Sequence, residues 1–365
     1  MQIKICHLSN THQLSDARIT KKECVSLVNA GYKVYCFIKC DKSFELKGIT
    51  FIRVSDFNNR FIRIFFGTWV VFFKSLKINP KIVHIHSPEL LPFVILYKLM
   101  GKKVIFDSHE DFVYQILHKP YLKNRIIQAI VSSLFGGFQK FITLFIDKII
   151  VVTDLMVPRF NEKKTVVISN FPLINELNAS AIQKSKDVSF VYAGGLFYIR
   201  NIKEITLAYS ALPNKTQFHI LGNWDTKEYE TVCKNLPEWK NINYHGKVSF
   251  EKAQELIAFS HIGILILKST PNHLLSMPIK AFEYMYNGLP FIASDFPYWR
   301  TLFSECAIFV DPENVEEITN AMNLLLTNNE LRGKLSKRGK ELIVERYNWN
   351  KEEVKLINLY KGLVS

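Results

Sequence analysis

Short runs of β-branched and aromatic residues alternate with longer apolar stretches of helical character, and the alternation happens twice along the chain. IKICHLS (3–9), KVYCFIK (33–39), ITFIRVS (49–55), KIVHIHS (81–87), KKVIFDSHE (102–110) and KIIVVT (148–153) predict strands, with VVISNFPL (166–173) as a last one. Helices are expected between them, around ITKKECVSLVNAGY, FIRIFFGTWVVFFKSLKIN and LLPFVILYKLMG and in segments up to residue 146. Continuous apolar strands separated by helices specify a parallel sheet covered on both faces. The polar stretch NELNASAIQKSKD (175–187) breaks this rhythm and reads as a linker. Beyond it VSFVYAGG, QFHILG, NINYHG, HIGILIL, FIASDF and AIFVD restart the alternation, and a helix from about 314 to 326 follows. The expectation is an α/β chain of two Rossmann-like, doubly wound domains, residues 1–174 and 188–345, facing across a cleft. In such sheets ligands bind beyond the carboxyl ends of the strands. A length of 365 residues agrees with two cores.

Lysine and arginine number 47 against 33 acids, a net charge of +14, which calls for an anionic partner: nucleic acid, phospholipid or a phosphorylated substrate. No zinc knuckle, RNP-like strand or helix-turn-helix signal supports nucleic acid. The six cysteines include no CxxC pair, which fits a reducing cytoplasm and gives no reason to expect a structural zinc site. MQIKICHLS lacks the apolar run of a signal peptide. IIQAIVSSLFGGFQKFITLFI (126–146) is long enough to span a bilayer, but it holds two glutamines, a lysine and a glycine pair. It reads as helical segments that are buried or lie on an interface.

Four stretches carry a resemblance: HIHSPELLP (84–92), DSHEDF (107–112), YAGGLFYIRNI (192–202) and PNHLLSMPIKAFEYMYNGLPFIASDFP (271–297). They resemble the family 4 glycosyltransferases, retaining enzymes of the GT-B fold, and look closest to the branch that builds capsular and O-antigen polysaccharides. The resemblance implies a nucleotide-sugar donor, weakly favouring uridine, and a glycan or lipid-diphosphate-linked acceptor. It also implies a C-terminal helix, 346–365, crossing back to the first domain, with Trp349 and Leu356 as anchors. A nucleotide-sugar 2-epimerase of the same fold is the alternative, but the acid/base carboxylates it needs cannot be placed.

Breaking the anomeric bond leaves negative charge on the diphosphate, which cations and helix N-terminal amides stabilise. Gly194 and Gly195 allow close backbone approach to a diphosphate. By resemblance Arg200 stands where the family carries a phosphate-binding lysine, and Gly195 where many members carry an arginine. Glu283 matches the second acid of the family's E-x7-E motif and would grip the ribose diol, since a carboxylate accepts two hydroxyl protons. The first acid of that motif is replaced by Leu275, so amides near His273 and Ser276 are expected to hold the sugar. Lys280, three residues before Glu283 and therefore on the same helix face, is expected to offset the cation missing at Gly195. Gly222 and Val248 are placed against the base. His109 matches the histidine that reaches the donor sugar, while Glu110 and Asp111 serve the acceptor or order their loop. Asp16 and Arg18 are assigned to the phosphates or the acceptor. No DxD-like pair calls for a metal, and no cofactor is expected.

Basic and aromatic residues mix in NNRFIRIFFGTWVVFFKSLKINPK and HKPYLKNRIIQ, with Arg60, Arg63, Lys74, Lys77, Lys81, Lys119, Lys123 and Arg125. An amphipathic cationic segment of this kind binds anionic headgroups. The enzyme is therefore expected at the inner face of the cytoplasmic membrane, unless 61–73 is a core helix.

Overall fold

The computed structural model describes residues 2–56, 59–116, 124–174, 184–212 and 216–364. Lys119, Lys123, the side chain of Arg60 and residues 175–183 of the expected linker lie outside the described residues. The chain divides into two units: residues 1–170 with 349–365, and residues 171–348.

In the first unit the strands are β1 (Lys4–Gln13), β2 (Lys33–Lys39), β3 (Phe44–Leu46), β4 (Ile49–Val54), β5 (Ile82–Ile85), β6 (Lys103–Ser108), β7 (Lys148–Val151) and β8 (Thr165–Val167). They form one sheet in the order β3-β4-β2-β1-β5-β6-β7-β8. All neighbours are parallel except β3 and β4, a hairpin turned by Lys47 (φ 50°) and Gly48 (φ 74°). Positive φ at both turn residues matches the twist of the flanking strands, and glycine adopts it at no steric cost. The last expected strand shrinks to three residues. Ile168 continues as buried coil, and its carbonyl accepts a hydrogen bond from Arg18 Nη1 at 3.0 Å.

The helix after β1 opens with a widened π turn, Arg18–Glu23, before the α-helix Cys24–Asn29. Its closing amide, that of Cys24, reaches back five residues to Ile19. That wider turn aligns Arg18 with Glu23, whose Nε and Oε1 are 3.0 Å apart in the interior. The helix Trp349–Val364 belongs to this unit: Trp349 and Leu356 are buried in it, and Trp349 Nε1 donates to Ser26 Oγ at 2.9 Å.

The second unit carries β9 (Ser189–Ala193), β10 (Gln217–Leu221), β11 (Asn243–Gly246), β12 (Ile262–Leu265), β13 (Phe291–Ser294) and β14 (Ala307–Val310). Their order, β11-β10-β9-β12-β13-β14, is all parallel and reverses direction between β9 and β12. β9, β12 and β13 are buried at every position, because helices cover both faces. Side chains alternate between the layers: Val191 and Ala193 join one core, Phe190 and Tyr192 the other. The helices Lys227–Lys234, Pro297–Phe303 and Asn329–Glu345 are further elements of this unit.

Candidate active site

The reversal between β9 and β12 is where a doubly wound sheet leaves a crevice for its ligand. Gly194 ends β9 with φ 147° and Gly222 ends β10 with φ 145°. A Cβ on Gly222 would run into the carbonyl of Gly194, so the two strand tips touch only because residue 222 has no side chain. The amides at these tips are already engaged: Gly194 N donates to Leu221 O and Gly222 N to Gly246 O, both at 2.8 Å. At Gly195 an added Cβ would meet the ring of Phe197 at 2.7 Å. Phe197 thus occupies the space a side chain at residue 195 would need.

Lys280, on the helix Ile279–Tyr286, fills the space opened by Gly194. A Cβ at Gly194 would lie 2.5 Å from Lys280 Nζ, and Nζ sits 4.0 Å over the ring of Tyr192. Its stem is partly exposed, but the ammonium is buried and has no hydrogen-bond partner among the described residues; the same holds for Arg200 Nε. Burial, then the charge of Arg200, brings Lys280 down to about 7 against the opposing pull of Glu283. Two cations therefore lie close together by the tip of β9, and neither Lys280 Nζ nor Arg200 Nε has a hydrogen-bond partner among the described residues.

His273, on the short helix Pro271–Leu275, is buried with Nδ1 2.8 Å from Lys268 O. Burial lowers its pKa, and Arg200 and Lys280 lower it further. Ser276 Oγ donates to His273 O at 3.2 Å and Ser276 O accepts from Trp299 Nε1 at 2.8 Å, so Ser276 closes its helix. Leu275 is half-buried, as is Glu283, and Val248 packs against the unit's core. Near Gly222, the rings of Trp224, Trp239 and Tyr244 cluster with centroids 5.5 to 6.1 Å apart.

In the first unit the corresponding reversal lies between β1 and β5, and polar groups crowd there. His109 follows β6 with its side chain 15 % exposed; its Nε2 is 3.2 Å from His86 Nδ1 and 3.4 Å from Asp107 Oδ2. The ring of His12 lies 4.9 Å from that of His109. Burial, then His109, lowers His12 to about 4. Asp16 is half-buried: Oδ1 accepts from Ile19 N at 3.3 Å and Oδ2 is 3.8 Å from His12 Nε2. Asp111 caps the helix Phe112–Ile116 by accepting from Tyr114 N, and pairs with Arg159 at 3.0 Å, while Glu110 is exposed.

Arg18 departs from expectation. It is buried, and its guanidinium is taken up by Asp107, Glu23 and the carbonyl of Ile168. Burial opposes the Asp107 carboxylate, yet Arg18 holds it well below the usual carboxylate range. Arg63 also differs: both its Nε and Nη2 bind Glu89, at 3.1 and 2.7 Å, and Asn10 Nδ2 donates to Glu89 Oε2. Neither arginine is left for an anionic ligand. Sequence reasoning missed His7, His12 and Glu23, and His84 and His86 were recognised only as strand residues. Lone histidines on separate strands form no motif until the sheet aligns them.

The segment 61–73 is a core helix on one face only: Val71 and Phe72 are buried, whereas Phe61, Phe65, Phe66, Trp69 and Phe73 are exposed, Phe61 by 73 %. Helix Arg125–Thr143 buries Ser132, Gln139, Ile142 and Thr143, while Ile126, Ile130, Leu134 and Phe141 face outward. By length and composition it is long and apolar enough to cross a membrane.

Residues 174–342 match the family model of the glycosyl transferases group 1. No curated protein matches the chain by sequence. Among solved structures it is similar to sucrose-phosphate synthase from Thermosynechococcus elongatus (14 % identity, TM-score 0.76, covering 100 % of this chain and 99 % of that one). A glycosyltransferase from Rickettsia africae is similar at 15 % identity and TM-score 0.74, with 100 % and 99 % covered. Anabaena HepE, in complex with UDP-glucose, is similar at 12 % identity and TM-score 0.72, with 99 % and 100 % covered. The fold is GT-B, and residues 174–342 of the second unit match the group 1 glycosyl transferases.

Proposed function

We propose that the protein transfers a hexosyl or N-acetylhexosaminyl group from a UDP-sugar to a lipid-diphosphate-linked glycan, with retention at the anomeric carbon, in cell-surface polysaccharide synthesis. The observation that carries the donor half is the pair of neighbouring cations by the glycine tip of β9, whose Lys280 Nζ and Arg200 Nε have no hydrogen-bond partner among the described residues. A diphosphate is the anion that suits them. Charge developing on it at bond cleavage meets groups already in place, so no metal is invoked at the diphosphate. Glu283 accepts the ribose hydroxyls, and the rings beside Gly222 supply a face for the base. The choice of uridine is supported by the similar structure that holds UDP-glucose. With Leu275 in place of an acid, the donor sugar is held by the backbone of 271–277 and by His273. His109 from the first unit acts on the sugar, and Asp16, Glu110 and Asp111 serve the acceptor.

The acceptor half rests on the outward apolar faces of 61–73 and Arg125–Thr143 with exposed Lys74, Lys77, Arg125 and Lys140 nearby in sequence. Such faces suit the anionic inner leaflet, where a lipid-linked acceptor resides. The deciding experiment incubates the chain with a panel of UDP-sugars and lipid-diphosphate acceptors in anionic vesicles, without added divalent metal. UDP release with an α-configured glycoside supports the reading. An epimerised nucleotide-sugar, or transfer only to soluble sugar phosphates, overturns it.

A further inference from the structure

Inside the first unit, three histidines and one glutamate surround a common point. His7 lies on β1 and His84 opposite it on β5, paired in register; His86 follows β5, and Glu23 ends the π turn. All four are fully buried, at 0 % exposure. One ring nitrogen of each histidine and one carboxylate oxygen lie within 4.8 Å of one another. His7 Nδ1 and His86 Nε2 are 2.9 Å apart, and they lie 3.9 and 3.8 Å from Glu23 Oε2.

These polar groups are poorly satisfied by each other. His84 Nε2 and both Glu23 oxygens have no hydrogen bond among the described residues, although Oε1 faces Arg18 Nε at 3.0 Å as an ion pair and His84 Nε2 lies 3.8 Å from Asp107 Oδ2. Buried lone pairs without a donor are costly and are rarely retained in a native interior. A single proton shared between His7 and His86 leaves Glu23 Oε2 and His84 Nε2 unmet. A cation at the common point meets all of them together.

We propose that His7, His84, His86 and Glu23 form a buried four-ligand site for a divalent transition metal such as zinc, tying β1 and β5 to the first helix. Zinc bound at about 2.0–2.1 Å by tetrahedral nitrogen and oxygen ligands sets neighbouring ligand atoms roughly 3.3 Å apart. The three separations among His7 Nδ1, His86 Nε2 and Glu23 Oε2, 2.9 to 3.9 Å, bracket that edge, and His84 offers a ring nitrogen within 4.8 Å of them. The outer ring nitrogens are also oriented as metal-bound histidines require. Tyr360 OH lies 2.7 Å from His84 Nδ1 and 3.4 Å from His7 Nε2, while His86 Nδ1 faces Asp107 Oδ2 at 3.7 Å and His109 Nε2 at 3.2 Å. The role is structural, in the first unit, and is separate from the cations at the tip of β9.

The full chain, expressed in medium supplemented with zinc or cobalt and gel-filtered, tests this by elemental analysis. One equivalent of metal per chain is expected, with the visible bands of four-coordinate cobalt and an X-ray absorption signature of imidazole and carboxylate ligands. Glu23→Gln and His84→Ala should lose the metal, and His12→Ala should keep it, since His12 belongs to the partly exposed group with Asp16 and His109. A folded wild-type chain without stoichiometric metal overturns the proposal. So does metal that persists in Glu23→Gln and leaves with His12→Ala. The wild-type measurements stand even where a variant does not fold.

Discussion

Lys280 Nζ rests 4.0 Å above the ring of Tyr192, in space that exists because residue 194 has no side chain. A buried ammonium over a ring face, with no hydrogen-bond partner among the described residues, is held ready for an anion. Lys280→Met should therefore keep the fold and lose about 3 kcal/mol of transition-state stabilisation, roughly a hundredfold in kcat/KM. Gly194→Ala should do similar harm, because its Cβ meets that ammonium and its φ of 147° disfavours a side chain. Steady-state kinetics with the best donor, alongside thermal melts, checks both.

The same lysine predicts a pH dependence. Lys280 is lowered from 10.5 to about 7 by burial first and Arg200 second. Below about pH 7 it is charged in both folded and unfolded chains, and the folded state bears the desolvation cost. Above that, the folded lysine is neutral while the unfolded one still holds its proton. Stability then rises with pH by at most about 1.4 kcal/mol per unit until the unfolded lysine titrates. A diphosphate ligand favours the charged form, so its binding above pH 7 takes up a proton and weakens as pH rises. Calorimetry of UDP binding in buffers of different ionisation enthalpy should show this uptake in the wild type and not in Lys280→Met.

Most strands of the two sheets were legible in the sequence, because a strand buried on both faces is largely apolar, as IVHI and FIAS are apart from His84 and Ser294. The hairpin at Lys47–Gly48 escaped notice, since KG is a weaker turn signal than NG or DG. Gly194, Lys280 and Glu283 stood out through local spacing on one loop and one helix. Arg18 misled because its place in a polar loop suggested exposure, whereas the π turn rotates it inward toward Glu23 and Asp107. The histidine cluster was invisible for a related reason. Its members come from β1, β5 and the first helix, and only strand order brings them together.

His109 belongs to the first unit and the cations at the tip of β9 to the second, so their contributions separate. His109→Ala should lower kcat by roughly a hundredfold or more, in the range of a lost acid–base or positioning group. UDP affinity should stay unchanged. Titration calorimetry with UDP beside single-turnover kinetics distinguishes this from a general loss of structure, which would weaken both.

The outward apolar faces make a separate prediction. Phe65 and Phe66 are exposed by 64 % and 68 %, so replacing both by serine removes no core contact and should leave the melting temperature within a few degrees. Each ring that enters a bilayer interface contributes up to about 1.5–3 kcal/mol. The double variant should therefore bind anionic vesicles at least tenfold less tightly in flotation assays. Equal flotation of variant and wild type would show that this face is not the one that meets lipid.

One anchor of the C-terminal helix is Trp349, which is buried in the first unit and donates Nε1 to Ser26 Oγ at 2.9 Å. Removing a buried aromatic of this size typically costs about 3–5 kcal/mol. In Trp349→Ala the Ser26 hydroxyl also loses its donor inside a closed interior. Trp349→Phe keeps most of the packing and removes only the hydrogen bond, a loss of about 1 kcal/mol. Denaturant melts of the three proteins should therefore fall in the order wild type, Trp349→Phe, Trp349→Ala, with the larger step between the two variants. If the two variants are equally destabilised, the hydrogen bond rather than the packing holds the helix in place.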